Sequence, residues 1–153
     1  MIPPVDPKVR ELLALPAVSQ IGLVVRDARK AVAFYGDVLN VAPFKVFEPE
    51  YSDRTYRGNP GNFRMRIALA MLGTVQLELI EPLEGKSIYD EFLENKGEGL
   101  HHLGFDIDRF DDRIAAMEKI GVKVLQSGKR PGVAFAYMDT ESLAGFIMEL
   151  IER

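Results

Sequence analysis

The chain has 153 residues, a formal net charge of −4, 47% hydrophobic residues and no cysteine. That length suits one compact domain or two small modules sharing a core, and the acidic balance offers no field to attract nucleic acid or an anionic membrane. The lack of cysteine excludes disulfides, thiolate nucleophiles and thiolate ligands, so any metal must be held by histidine and oxygen donors.

No apolar run approaches the roughly 18 residues of a membrane span. The first residues, Met1-Ile2-Pro3-Pro4-Val5-Asp6-Pro7, show neither the basic segment nor the apolar core of a signal peptide, so a cytoplasmic protein is expected. Residues 1–16 read as an N-terminal arm with a short helix from about Pro7, proline being at home in a first helical turn. From Val18 to Val25 the chain alternates as a strand does. Gln20, Gly22 and Val24 fall on one face, and Ile21, Leu23 and Val25 on the other. Asp27 is placed to cap a helix over Ala28–Leu39, whose Ala31, Phe34 or Tyr35, and Val38 would pack on the second face; Asn40 suits a left-handed stop.

Residues 43–62, rich in Pro, Gly, Asn and charge, predict strand fragments joined by a long loop. Arg64–Leu72 and Val75–Ile80 alternate as a hairpin turning at Gly73-Thr74, with Gln76, Glu78 and Ile80 sharing a face. Pro82–Gly85 reads as a linker, and Ser87 with Asp90 forms the capping box of a helix ending at Lys96. Gly99–Asp108 holds both histidines, His101 and His102, in a strand. Asp108 is expected to cap a helix with Phe110, Ile114, Met117 and Ile120 on one side, and Val122–Leu125, Val133–Met138 and Gly145–Ile151 read as strands.

The second half repeats the first. Gln20-Ile21-Gly22 is echoed by His102-Leu103-Gly104, and Glu78-Leu79-Ile80-Glu81 by Glu149-Leu150-Ile151-Glu152. The unit is βαβββ, an α+β pattern with mostly antiparallel pairing: one module at 17–82, a linker helix at 83–98 and a second module at 99–153. Gln20 and Glu78 are 58 positions apart and His102 and Glu149 are 47 apart; the excess falls in the 43–62 loop, where insertion costs least. Two βαβββ modules would form a cupped sheet around one cleft, and its open edges imply a homodimer.

Glu78 and Glu149 each interrupt an apolar strand, where a lone carboxylate is costly unless paired or given to a metal. Their equivalent positions, with Gln20 and His102 also equivalent, point to a shared site at which the four converge. One imidazole, two carboxylates and a carboxamide oxygen suit Zn, Ni, Co, Mn or Fe(II) better than Ca or Cu(I). Strand alternation directs His101 to the opposite face, in a structural or supporting role.

This pattern resembles the vicinal oxygen chelate superfamily, which includes glyoxalases, methylmalonyl-CoA epimerases, extradiol dioxygenases and bleomycin-resistance proteins. The resemblance covers about residues 17–152. The stretch ELIEPLEGKSIYDEFLENKGEGLHHLGF, from Glu78 to Phe105, is most similar to methylmalonyl-CoA epimerases. It implies a glyoxalase-like fold with Gln20, Glu78, His102 and Glu149 as metal ligands and Glu149, with Glu78, as the proton-handling carboxylates. Epimerases normally have His where this chain has Gln20, whereas some glyoxalases share the whole Gln/Glu/His/Glu set. Epimerases also resemble a two-base design, yet residues 58–77 contain no Asp or Glu, only Arg64 and Arg66 among their strand charges. Val24 stands where glyoxalases with that ligand set resemble one another in carrying a glutathione-binding Arg.

The expectation is a divalent-metal-dependent epimerase or isomerase that shifts the proton next to the carbonyl of an acyl-CoA. Arg64 or Arg66 would hold a substrate carboxylate or phosphate. The alternatives are a glyoxalase-type lyase acting on a thiol adduct and a metal-free binding protein of the resistance type. Extradiol dioxygenase chemistry is disfavoured, because it resembles a two-His, one-carboxylate iron site.

Overall fold

The computed structural model describes residues 2–153. Its elements are α1 (Pro7–Leu13), β1 (Gln20–Val24), α2 (Ala28–Asp37), β2 (Lys45–Phe47), β3 (Ser52–Tyr56), β4 (Asn59–Pro60), β5 (Arg64–Leu72), β6 (Val75–Glu84), α3 (Ile88–Asn95), β7 (Gly99–Asp106), α4 (Phe110–Lys119), β8 (Val124–Arg130), β9 (Val133–Met138), α5 (Glu141–Ala144) and β10 (Ile147–Glu152). The strands form one sheet in the order β2-β5-β6-β1-β7-β10-β9-β8-β3-β4. Within it β1-α2-β2-β5-β6 and β7-α4-β8-β9-β10 follow the same βαβββ order, β1 and β7 pairing antiparallel at the centre. Among the described residues only β1–β6 and β7–β10 pair in parallel. The β3–β4 hairpin is the extra length of the first module, and it crosses over to pair with β8 of the second.

The two helices of the repeat pack on the outer face. Leu23, Val25, Ala68, Leu77 and Leu79 cluster with Ala31, Val32 and Tyr35 of α2, while Phe34, on the helix's other side, and Val38, past its end at Asp37, stay exposed. Phe110 and Met117 of α4 pack against Phe105, Ala136, Met138, Met148 and Leu150. The inner face carries a separate core of Val24, Met65, Ile67, Ile80, Phe135 and Tyr137, closed at one end by Ile88 and Tyr89 of α3. Helix α3 begins with the Ser87/Asp90 capping box, and its first amide, Ile88 N, donates to the buried Gln126 side chain of β8 at 3.0 Å. The hairpin is tied to the same helix, since Arg57 Nε and Nη2 donate to the Glu91 carboxylate at 2.8 and 2.6 Å.

The echoed Glu-Leu-Ile-Glu has two functions per copy. Its first glutamate, Glu78 or Glu149, faces inward; its second, Glu81 or Glu152, faces the helices. Glu81 accepts the Ala28 amide of α2 at 2.9 Å, and Glu152 accepts the Phe110 amide of α4 at 2.9 Å. Each module thus caps its helix from its last strand, placing a carboxylate at the positive end of the helix dipole.

This corrects the expected role of Asp108. Residue Arg109, at φ 53°, occupies the cap position without a side-chain bond, and Asp108 pairs instead with Arg113 at 2.9 Å. Strand β6 also runs through Pro82 to Glu84, so the linker is shorter than predicted; β8 starts at Val124, β10 at Ile147, and the four-residue α5 was not foreseen. Among the described residues no helix is long and apolar enough to cross a membrane. Glu152→Ala should lower unfolding stability by about 1 kcal/mol through loss of the α4 cap. Urea denaturation measures this, and an unchanged midpoint would show that the helix does not depend on it.

Candidate metal centre

Antiparallel pairing of β1 with β7 sets Gln20 opposite Gly104 and Gly22 opposite His102, while the outer parallel neighbours set Gly22 beside Glu78 and Gly104 beside Glu149. Each glycine of the repeated motif therefore lies between the first-strand polar residue of the other module and the last-strand glutamate of its own. The spacing is obligatory. A Cβ at Gly22 would sit 1.9–2.4 Å from the His102 ring, and one at Gly104 would sit 2.9 Å from Gln20 Cβ.

The four expected residues do converge. His102 Nε2 is 3.0 Å from Glu149 Oε2, 3.3 Å from Glu78 Oε2 and 3.1 Å from Gln20 Oε1. All four residues are buried. Donor atoms around a six-coordinate ion at about 2.1 Å lie about 3 Å apart, so the set is spaced as ligands of one cation would be.

The Gln20 amide could turn either edge to this cluster. With its NH₂ inward it would donate to Glu149 Oε2 at 2.8 Å and Glu78 Oε2 at 3.2 Å. Its outer edge decides. There Gln20 Nε2 donates to Gln76 Oε1 at 2.8 Å, and that same oxygen lies 3.4 and 3.5 Å from the Arg153 guanidinium. Arg153 is in turn anchored to Asp106 at 2.9 Å. Reversing Gln20 would require Gln76 to reverse too and turn its NH₂ toward a guanidinium, so the Gln20 oxygen faces inward. Two carboxylate oxygens, an amide oxygen and an imidazole nitrogen aimed at one point fit a divalent metal.

Charge tells the same story. Burial pushes the Glu78 carboxyl above its ordinary pKa, and Glu149 adds to the rise against the opposing effect of His102. Burial also opposes a charge on His102, but Glu149 and Glu78 outweigh it and raise its pKa to about 9. A proton thus holds the place that a metal would take.

His101 does not point away, which corrects the expectation from alternation. The β1–β7 register jumps from Gly22↔His102 to Leu23↔Leu100, leaving His101 as the extra residue of a β-bulge. Its side chain turns inward among Tyr89, Phe92 and Tyr137, and its Nδ1 lies 3.0 Å from His102 Nδ1. With His102 Nε2 as ligand, Nδ1–H of His102 donates to His101, which fixes the ring. Burial, then the charge of His102, lowers the His101 pKa well below its usual value, as an acceptor here requires.

Arg64 and Arg66 are not brought to the site. They alternate with Met65 and Ile67 and so face outward, where Glu48 pairs with both at 3.1 and 2.9 Å while Glu84 takes Arg64 and Glu81 takes Arg66. The cations that do line the cleft above the cluster are Arg130 and Arg153, together with Tyr51, Gln76 and Phe135. Arg153 and Gln76 follow the inward alternation of Glu149 and Glu78, a signal present in the sequence. Tyr51 arrives from the segment leading into the crossing hairpin and has no counterpart in the repeat.

Residues 19–137 match the family model described as the Glyoxalase/Bleomycin resistance protein/Dioxygenase superfamily. The chain belongs to that superfamily. It is 30% identical over 135 residues to "Uncharacterized protein YqjC" of Bacillus subtilis, covering 86% of this chain and 89% of that one. It is 22% identical over 152 residues to the mitochondrial methylmalonyl-CoA epimerase of Homo sapiens, covering 96% and 80%. The crystal structure of methylmalonyl-CoA epimerase from Mycobacterium tuberculosis superposes with a TM-score of 0.66 at 21% identity, covering 94% of this chain and 93% of that one. The superfamily fold accordingly accounts for the curled mixed sheet.

Two outcomes follow. Gly22→Ala should drive the His102 ring from its place and abolish stoichiometric metal uptake, as elemental analysis after reconstitution would show. At pH 7.5 His102 is protonated, since its pKa is about 9, so metal uptake should release a proton and affinity should climb with pH until about 9, then level. Calorimetry in buffers of different ionisation enthalpy reads this directly; uptake without proton release would contradict it.

Proposed function

We propose that the protein is a divalent-metal-dependent epimerase that moves the proton next to the carbonyl of an acyl-CoA thioester, as methylmalonyl-CoA epimerases do. The observation carrying this reading is the convergence of Gln20 Oε1, Glu78 Oε2, His102 Nε2 and Glu149 Oε2 on the floor of a cleft walled by Phe47, Tyr51, Arg130 and Phe135. Relatives named methylmalonyl-CoA epimerase support it. A divalent ion held by Gln20, Glu78, His102 and Glu149 would supply Lewis-acid stabilisation of negative charge on a substrate oxygen.

The chain's own residues do the rest. Glu149, whose Oε2 lies 3.0 Å from His102 Nε2, takes the α-proton from one face of the carbon and, in the reverse direction, delivers it to that face. Phe135, Ile67 and Leu69 exclude water on the cleft's flanks, which strengthens every charge interaction inside. Glu78 is the other carboxylate lining the cleft, so the opposite-face proton comes from Glu78 or from water. Val24 is fully buried in the apolar floor beside Ile80 and Tyr89, which leaves no cationic group there to recognise glutathione and weighs against the lyase reading. A homodimer is the expected assembly, since the three-residue β2 leaves much of one rim of the sheet unpaired.

The test is solvent-deuterium exchange at the α-carbon of methylmalonyl-CoA by the metal-reconstituted protein. Wild type should exchange, faster for one epimer than for the other, and Glu149→Gln should lose exchange by at least about 100-fold while keeping its fold. Equal, fast exchange of both epimers would require a second dedicated base. No exchange, with turnover of the glutathione adduct of methylglyoxal, would establish the lyase instead. Absence of any metal uptake would leave a ligand-binding protein.

A further inference from the structure

Arg130 is the third inward residue of β8, following Gln126 and Gly128 by strand alternation, and it lines the cleft that ends on Glu78 and Glu149. Gly128 makes room there: a Cβ would meet the Phe135 ring at 2.7 Å and Tyr51 Cβ at 3.3 Å. The guanidinium lies over the Tyr51 ring, 5.8 Å from its centroid. Its Nε is buried with no hydrogen-bond acceptor. The neighbouring cations are already engaged, Lys129 with Asp111 at 3.3 Å and Arg153 with Asp106 at 2.9 Å. Among the described residues Arg130 has no carboxylate within salt-bridge distance, and a second recess that it lines with Lys129 and Arg153 also carries Glu152.

A buried guanidinium nitrogen without an acceptor is costly, and the planar fork of arginine suits a carboxylate bound through two oxygens. Glu78 and Glu149 already make the floor acidic, so an anion is tolerated in this cleft only where a cation meets it. We propose that Arg130, set by Tyr51 and Gly128, is the specificity-determining residue that binds a free carboxylate on the acyl group, selecting malonyl-type thioesters over uncharged acyl thioesters. This rests on the epimerase reading for the thioester, and not for the carboxylate. A phosphate of a CoA moiety offers similar chemistry, and the probes below separate the two.

The metal-reconstituted protein is titrated with thioesters of N-acetylcysteamine, which carry no phosphate. Methylmalonyl-N-acetylcysteamine is compared with its isobutyryl analogue, in which a methyl group replaces the carboxylate. Wild type should bind the carboxylate-bearing ester at least about tenfold more tightly. Arg130→Met should remove most of that preference while melting temperature and metal stoichiometry hold, and Arg130→Lys should keep part of it. Should Arg130→Met fail to fold, Arg130→Gln, which keeps a polar side chain over Tyr51, is measured in its place. A preference unchanged in the variant would overturn the proposal, as would a loss of affinity seen only with the full CoA ester, which would assign Arg130 to phosphate. Binding is read without turnover, so failure of α-proton exchange would sink the epimerase reading and leave this one standing.

Discussion

The antiparallel contact between β1 and β7 is the constraint on which the molecule depends. It interlocks two copies of one small motif so that each polar side chain occupies the space above the glycine of the other. Gly22 yields to His102, and Gly104 to Gln20. A sheet interior has no room for an imidazole and a carboxamide on adjacent strands unless the residues between them lack a Cβ. The parallel neighbours then deliver Glu78 and Glu149 to the same two glycines. Four polar groups are thereby buried together, an arrangement that no one of them could sustain alone.

Support for that cluster comes from groups on its rim and behind it. Arg153 and Gln76 set which edge of the Gln20 amide turns inward, and His101 takes the far nitrogen of His102. Beneath them, Tyr89 of α3 shares a hydrogen bond of 2.9 Å with Tyr137, and burial pushes both hydroxyls well above the usual tyrosine range, so neither competes as an acid. The second glutamate of each repeated Glu-Leu-Ile-Glu anchors the helix behind the sheet. A change in strand register by one residue would exchange ligand and cap and lose both.

Symmetry stops at the floor of the cleft. The four clustered residues come in equivalent pairs, but the upper walls do not: Tyr51 precedes the hairpin that only the first module carries, and Arg130 comes from β8 of the second. A duplicated module supplies chemistry common to both halves, and the unduplicated insertion makes the two walls unlike. Burial pushes the Tyr51 hydroxyl up to about 12, with Glu78 and Glu149 adding to the rise and Arg130 opposing it. Tyr51 therefore stays neutral beside Arg130 and leaves the guanidinium's charge available.

Alternation and repetition by themselves determined the fold class, the outer-face helices and the inward positions of Gln20, Glu78, His102 and Glu149. These are properties of period and order along the chain, and burial of one face enforces them. The capping box at Ser87 was equally legible, being a local exchange of bonds over four residues. Tertiary structure decided the remainder. A single-residue bulge turned His101 inward, which no alternation rule could foretell because the bulge exists only in the register between β1 and β7. Arg64 and Arg66 were claimed by Glu48, Glu81 and Glu84 on the outer face, and the cleft received Arg130 and Arg153 instead. Asp108 lost its cap to Glu152, 44 residues away in sequence but adjacent across the α4–β10 contact. Which charges meet depends on the three-dimensional path of the chain, whereas which face each residue occupies depends largely on its immediate neighbours.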